Sequence, residues 1–225
     1  MINSIPQRLF KEQSNAPLIV FRILFGALMF FSTIRFWVNG WIEDFYITPL
    51  FHFKYYGFEW VKVLPPEGMY TLFIIAGLSA LMIMLGLFYR IATILFFISF
   101  TYIELIDKTY YLNHYYFVSL IALILVFLPA HRRISLDTKI GLVQISHQCK
   151  RWHVLLIQFQ LGIVYIFAGI AKIHPDWLFR AQPLQNWLHT NHHLPLIGPW
   201  LKSKTVAYLM SWGGMLYDLF IVFFL

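Results

Sequence analysis

The stretch Trp152–Lys172, WHVLLIQFQLGIVYIFAGIAK, decides the fold class. Its first twenty residues hold neither an acid nor a Lys or Arg, and His153 is the only weak base among them. About twenty apolar residues are what an α-helix needs to cross the hydrocarbon of a bilayer. The run therefore reads as a membrane span with Lys172 at its end. Five further runs pass the same test: Pro17–Val38, Gly68–Phe88, Arg90–Ile106, Asn113–Pro129 and Thr205–Leu225. None shows the polar alternation of a membrane barrel. Backbone groups left unpaired in lipid are too costly for any other form, so the expected fold is all-α, a multi-pass transmembrane bundle of about six spans.

Composition agrees with this. Of 225 residues 60% are hydrophobic and 12% charged, with a mean hydropathy of +0.67, far from soluble averages. A net charge of +7 could suit nucleic acid, but the basic residues are scattered between apolar runs and form no continuous patch. They read as topology signals, and no nucleic-acid partner is expected. The lone Cys149 excludes an internal disulfide. The first sixteen residues are polar, and the run after them lacks a small-x-small cleavage site, so it reads as a retained anchor.

Arg132, Arg133, Lys139, Lys150 and Arg151 crowd the loop Ala130–Arg151, which the positive-inside rule puts in the cytoplasm. Both termini then lie inside, and Lys172 falls at the outer face. Two long aromatic-rich loops, Asn39–Glu67 and Ile173–Lys204, are left outside. They are expected in the headgroup region as an aromatic belt, with a ligand lid as the alternative. The last span runs to Leu225 without a polar flank, as in a chain that continues beyond it.

Charges inside spans are costly, about 2.5–3.5 kcal/mol at mid-span on insertion scales, so each needs a reason. Arg22 and Arg35 stand near helix ends and are expected to snorkel to the headgroups. Lys172 shares a helix face, within about 60°, with Gly169, Ala168, Tyr165, Leu161 and Gln158. This polar and small-residue stripe is expected to point into the bundle. Gly169 and Ala168 leave room for another helix or a flat ligand, and Tyr165 and Gln158 add hydrogen-bonding depth. With no carboxylate on that face, the amine is expected to be unpaired and neutral by burial. Asp176, four residues on, is expected to be turned away where Pro175 ends the helix.

A second cluster, Glu104, Asp107, Lys108, Asn113 and His114, lies between two spans. Glu104 and Lys108 are spaced for an i, i+4 pair, and Asn113 is placed to cap the next helix. His114 has no local task. His189, His192 and His193 are close together but have no carboxylate or cysteine nearby, and no metal site is expected.

The blocks MYTLFIIAGLSALMIMLGLFYRIATILFF (69–97), LIDKTYYLNHYYF (105–117) and FAGIAKIHPDW (167–177), in this order, resemble the vitamin K-dependent gamma-glutamyl carboxylase family. More specifically, they resemble its membrane part, the HTTM domain, over nearly all of residues 1–225, with the extramembrane domain of that family absent. The resemblance implies that Lys172 is the base that deprotonates reduced vitamin K, of menaquinol or phylloquinol type, and that His114 belongs to the same site. Tyr165, Gln158, Gly169 and Asn113 are the candidate binding residues. Oxygen and carbon dioxide are the implied co-substrates, with no metal. Lipid, the quinone and a glutamate-containing peptide are the implied partners, and a bacterial cytoplasmic membrane the expected location. Eukaryotic members carry a second lysine where this chain has Ala171, so the resemblance reaches the quinone half-reaction more directly than carboxylation. The alternative is a non-catalytic membrane protein of the same fold that binds quinone or lipid or serves assembly.

Overall fold

A computed structural model describes residues 5–225 and divides them into two units, one running to Leu156 and the other Ile157–Leu225. In chain order the elements are α1 (Ile5–Leu9), β1 (Glu12–Ser14), α2 (Ala16–Val38), α3 (Pro66–Leu85), α4 (Tyr89–Ile106), α5 (Asn113–Phe127), α6 (Leu136–Lys139), β2 (Gln148–Lys150), α7 (Arg151–Ala171), α8 (Pro175–Arg180), α9 (Leu184–Thr190), α10 (Gly198–Leu201) and α11 (Lys204–Ile221). The all-α bundle is as expected. Among the described residues five helices are long and apolar enough to cross a membrane, namely α2, α3, α4, α7 and α11 with its last turn.

The sixth run is shorter than expected. Pro129 bars the residue before it from helical geometry, and Leu128 is extended at φ −85°, ψ 138°, so α5 stops at Phe127. Its 15 residues rise only about 22 Å. A second boundary also moves. Gly86 takes the left-handed conformation at φ +65° and ends α3 at Leu85, three residues before the expected Phe88.

In the first unit α2 packs on α3, α3 on α4 and α4 on α5. Small residues set the spacing: a Cβ on Gly26 would overlap the backbone of Met84 and the Ala80 carbonyl. Arg22 corrects one expectation. It is fully buried rather than snorkelling, and its guanidinium donates to the carbonyls of Ile83 (3.3 Å) and Ile134 (2.5 Å). The Ile83 carbonyl in the last turn of α3 accepts the Gly86 amide (3.1 Å), and its second lone pair is open to the buried cation. The guanidinium lies so close to Gly86 that a Cβ there would collide with it.

The basic segment 130–150 is folded onto this end of the bundle. Ser135 caps α6 through the Thr138 amide, and the buried Asp137 carboxylate accepts the amides of Phe88 (2.7 Å) and Tyr89 (3.1 Å) at the start of α4. His131 stacks on Tyr89, with ring centroids 4.7 Å apart; burial, then the nearby Arg90, push its pKa down to about 4. The short antiparallel pair β1–β2, which no sequence pattern indicated, closes the segment and holds the buried Cys149.

At the other end, the loop between α2 and α3 is not a simple belt. Leu50, Tyr56 and Trp60 are exposed, but Ile42, Tyr46 and Val61 are buried against Met69, Phe73, Ile103 and Ile106. The loop thus caps the ends of α3 and α4. In the second unit α8, α9 and α10 all pack on α11.

Replacing Asp137 by Ala should destabilise the protein by about 1–3 kcal/mol, because two amides lose a buried charged acceptor. Thermal unfolding in detergent reads this, with Lys139→Ala, at an exposed position, expected to leave the midpoint unchanged.

Candidate functional site

The second unit holds Lys172 one residue beyond the end of α7, its amide still bonded to the Gly169 carbonyl at 3.1 Å. Pro175 opens α8, and Asp176 is turned away as expected: its carboxylate takes Arg180 at 2.9 Å, and its amide is accepted by His174. The amine is nonetheless not free. Asp218, on α11, forms a direct ion pair with Lys172 Nζ, and both side chains are largely buried, 23% and 12% exposed. The expectation of an unpaired amine is corrected here: the carboxylate comes from another helix, where inspection of a single helix face does not reach. A lone acid in one apolar helix and a lone lysine in another are the available signal, since intramembrane charges tend to pair.

Around the pair the second unit supplies rings. The indole of Trp177 stands 5.4 Å from Nζ, close enough for a cation–π contact. Trp177 is fixed in turn: its Nε1 donates to the Ser211 carbonyl (2.7 Å) and its own carbonyl accepts the Ser211 hydroxyl (2.9 Å). These bonds tie α8 to α11. Tyr165 meets Tyr217 edge to face at 6.0 Å. Gly169 does not leave space for a flat ligand, because a Cβ there would strike the Leu219 side chain at 2.6 Å. Its small size serves helix packing. Gln158 donates its amide to the Leu225 carbonyl. The stripe of Gly169, Tyr165 and Gln158 thus faces α11.

His114 and Asn113 belong to the first unit, and two local expectations fail there. Asn113 is the first helical residue and not the cap; Leu112, extended, precedes it, and no side chain caps α5. Glu104 and Lys108 do not pair, because α4 ends at Ile106 and Asp107 is extended at φ −143°, which breaks the i, i+4 geometry. Asp107 instead accepts from the Thr109 amide (2.9 Å) and hydroxyl (2.8 Å) and pairs with His52 at 3.0 Å. Lys54 Nζ donates to the Ile106 carbonyl at 2.9 Å, and the Lys108 amide to Phe53. The loop before α3 is thereby sewn to the α4–α5 turn. Burial alone would raise the Asp107 pKa, but the Thr109 and His52 hydrogen bonds outweigh it and hold this carboxyl below its ordinary value.

His114 is exposed, its ring 4.6 Å from that of Tyr115. Together with Ser32, Arg35 and Tyr115 it lines a cavity of about 340 Å³. Arg35 lies over the Trp41 ring at 5.2 Å. His189, His192 and His193 stand exposed at and after the end of α9, and His192 Nδ1 contacts the His189 carbonyl at 2.7 Å.

The HTTM domain model matches residues 10–225, so the chain belongs to that family, as the resemblance implied. With its apolar helices, this makes it an integral multi-pass membrane protein carrying the domain found in vitamin K-dependent carboxylases. No solved structure matches the chain.

Two outcomes are expected. Lys172→Met or Asp218→Leu alone should each lower stability by about 1–3 kcal/mol, since either leaves a partly buried charge unpaired, and the double variant should recover most of the loss. Thermal unfolding of the four proteins in detergent forms the cycle. For Asp107, the folded pKa lies below the unfolded value of about 3.9, so its stabilisation is complete above that pH and fades as pH falls through the folded value. Amide exchange at Lys108 and Thr109, whose amides donate to the Phe53 carbonyl and to Asp107, should therefore stay slow near neutral pH and accelerate below about pH 4, and His52→Ala should shift this onset upward.

Proposed function

We propose that the protein is a membrane enzyme, or the membrane part of one, that oxidises a reduced naphthoquinone of the vitamin K type to its epoxide, with Lys172 and Asp218 as its proton-accepting pair. The observation that carries this reading is the pair itself: an amine and a carboxylate in direct contact, partly shielded from water, with an aromatic wall beside them. An ammonium has no lone pair with which to take a proton. In a poorly solvated site, however, the pair is interconvertible with neutral amine and carboxylic acid by one proton shift, because separated charges lose their solvation there. The amine so released is the base for a quinol hydroxyl, and the Trp177 indole is a platform for a flat ring. Tyr165 and Tyr217 place two phenols on the same helix pair as further hydrogen-bonding groups. When the deprotonated quinol reacts with oxygen, the resemblance implies chemistry strong enough to drive glutamate γ-carboxylation, with a glutamate-containing peptide and carbon dioxide as co-substrates. His114 is carried into this chemistry by the resemblance.

A second reading, a non-catalytic member that binds quinone or lipid or serves assembly, is favoured by the same ion pair taken as a structural lock: a lysine already neutralised needs no substrate to explain it.

Purified protein incubated with reduced vitamin K and oxygen separates the two. Epoxide, detected by chromatography, is expected from the wild type. Lys172→Arg should keep the ion pair and the folded state yet make no epoxide, because a guanidinium does not give up its proton. Lys172→Ala should be equally inactive, and His114→Ala impaired. Epoxide formation at the wild-type rate by the arginine variant would remove Lys172 as the base, and none from the wild type would leave the structural reading.

A further inference from the structure

A second cavity is lined only by residues of the first unit. It measures about 550 Å³, is open on one side, and is lined by one face of α4, one face of α5 and the loop before α3. Phe97, Thr101, Glu104 and Leu105 recur at helical spacing along α4, and Tyr116, Ser119, Leu120 and Leu123 along α5. Tyr55 and Phe58 of the loop form its rim. The volume falls in the range of small-molecule sites, and the wall is almost entirely apolar and aromatic.

Glu104 and Thr101, one turn apart on α4, both stand on this wall. Glu104 lines this cavity and also a smaller one of about 30 Å³, shared with Tyr46 and Tyr115. Among the described residues Glu104 takes part in no ion pair. Cations of the first unit are engaged elsewhere or exposed: Lys54 is bound to the Ile106 carbonyl, Arg35 lies over the Trp41 ring, and Lys108 is exposed. One turn earlier on α4, Thr101 Oγ1 is buried with no hydrogen-bond partner. A buried hydroxyl normally finds one, and a carboxyl facing an apolar cavity is costly without a donor. Neither group is explained by the packing of the bundle.

We infer that this cavity is a binding site for a lipophilic alcohol or phenol, whose hydroxyl group bonds to Glu104 and Thr101 while its apolar body fills the aromatic chamber. The head group follows from the two partners. A hydroxyl donates and accepts at once, so it donates to the Glu104 carboxylate and accepts from the Thr101 hydroxyl. An ammonium head only donates, so it gives the Thr101 hydroxyl proton no acceptor, and it adds a charge that the apolar wall does not solvate. A plain acyl chain meets neither group. The site stands independently of the reaction proposed at Lys172 and is tested without it.

Native mass spectrometry of the full chain released from detergent reads the site directly, with 4-nonylphenol as the probe and nonylbenzene, the same body without the hydroxyl, as the comparison. The phenol should give a saturable single adduct and the hydrocarbon none at the same concentration. Glu104→Leu should weaken phenol binding by about tenfold or more, the loss expected for a hydrogen bond to a carboxylate. Leu120→Trp, which fills the chamber and leaves the polar groups alone, should abolish the adduct. Equal adducts from phenol and hydrocarbon would overturn the assignment and make the cavity a seat for lipid chains. Wild-type binding in both variants, or no saturable adduct in the wild type, would overturn it as well.

Discussion

A charge carried on an apolar helix has to be neutralised or hydrogen-bonded by the protein itself, and much of this molecule is arranged around that requirement. Arg22 is the clearest case. Its guanidinium takes carbonyls from the end of α3 and from the segment 130–150, and the chain gives way to it at Gly86, the one place where α3 must turn sharply. Asp137, from the same segment, does the converse for α4 by accepting its first amides. One end of the four-helix unit is thus closed by a cation on carbonyls and an anion on amides, each complementing the helix terminus it meets. At the other end Asp107 joins His52 and Thr109, and the loop before α3 is fastened there.

The regular part of this architecture is legible in the sequence, because a run of apolar residues long enough to span lipid has few alternatives. Its boundaries were readable only where local chemistry dominates. Pro17 and Pro66 sit in the first turns of α2 and α3, where proline costs nothing. Gly86 and Pro129 end helices for equally local reasons, yet the apolar count runs past both. Interactions between elements left weaker traces. Glu104 and Lys108 have ideal helical spacing, but one extended residue, Asp107, cancels it. Arg22 lies close enough to a helix end to suit snorkelling, and only the fold of the distant segment 130–150 draws it inward. The folded cap formed by Tyr46 and Val61 is invisible for the same reason: aromatic loops read alike whether they face lipid or protein.

Of the proposed site, the face of α7 was legible and its partner was not. Gly169, Tyr165 and Gln158 fall on the side of Lys172 by periodicity alone, and all three meet α11. What they meet depends on the register between two helices nearly fifty residues apart, which no single-helix reading contains. Asp218 is the cost of that limit. It is an acid in the middle of an apolar run, and its meaning lies in the lysine of the other helix.

Arg22 and Lys172 are both basic residues on apolar helices, but the protein neutralises them in chemically different ways. The partners of Arg22 are backbone carbonyls, which accept hydrogen bonds and do not take up protons near neutral pH. Arginine itself stays protonated, so this contact has one state and works as a clamp. The partner of Lys172 is a carboxylate, and both members of that pair are able to exchange a proton. In the reading proposed above this pair is a lock in the absence of ligand and a base in its presence, a dual role that the arginine clamp has no means to play.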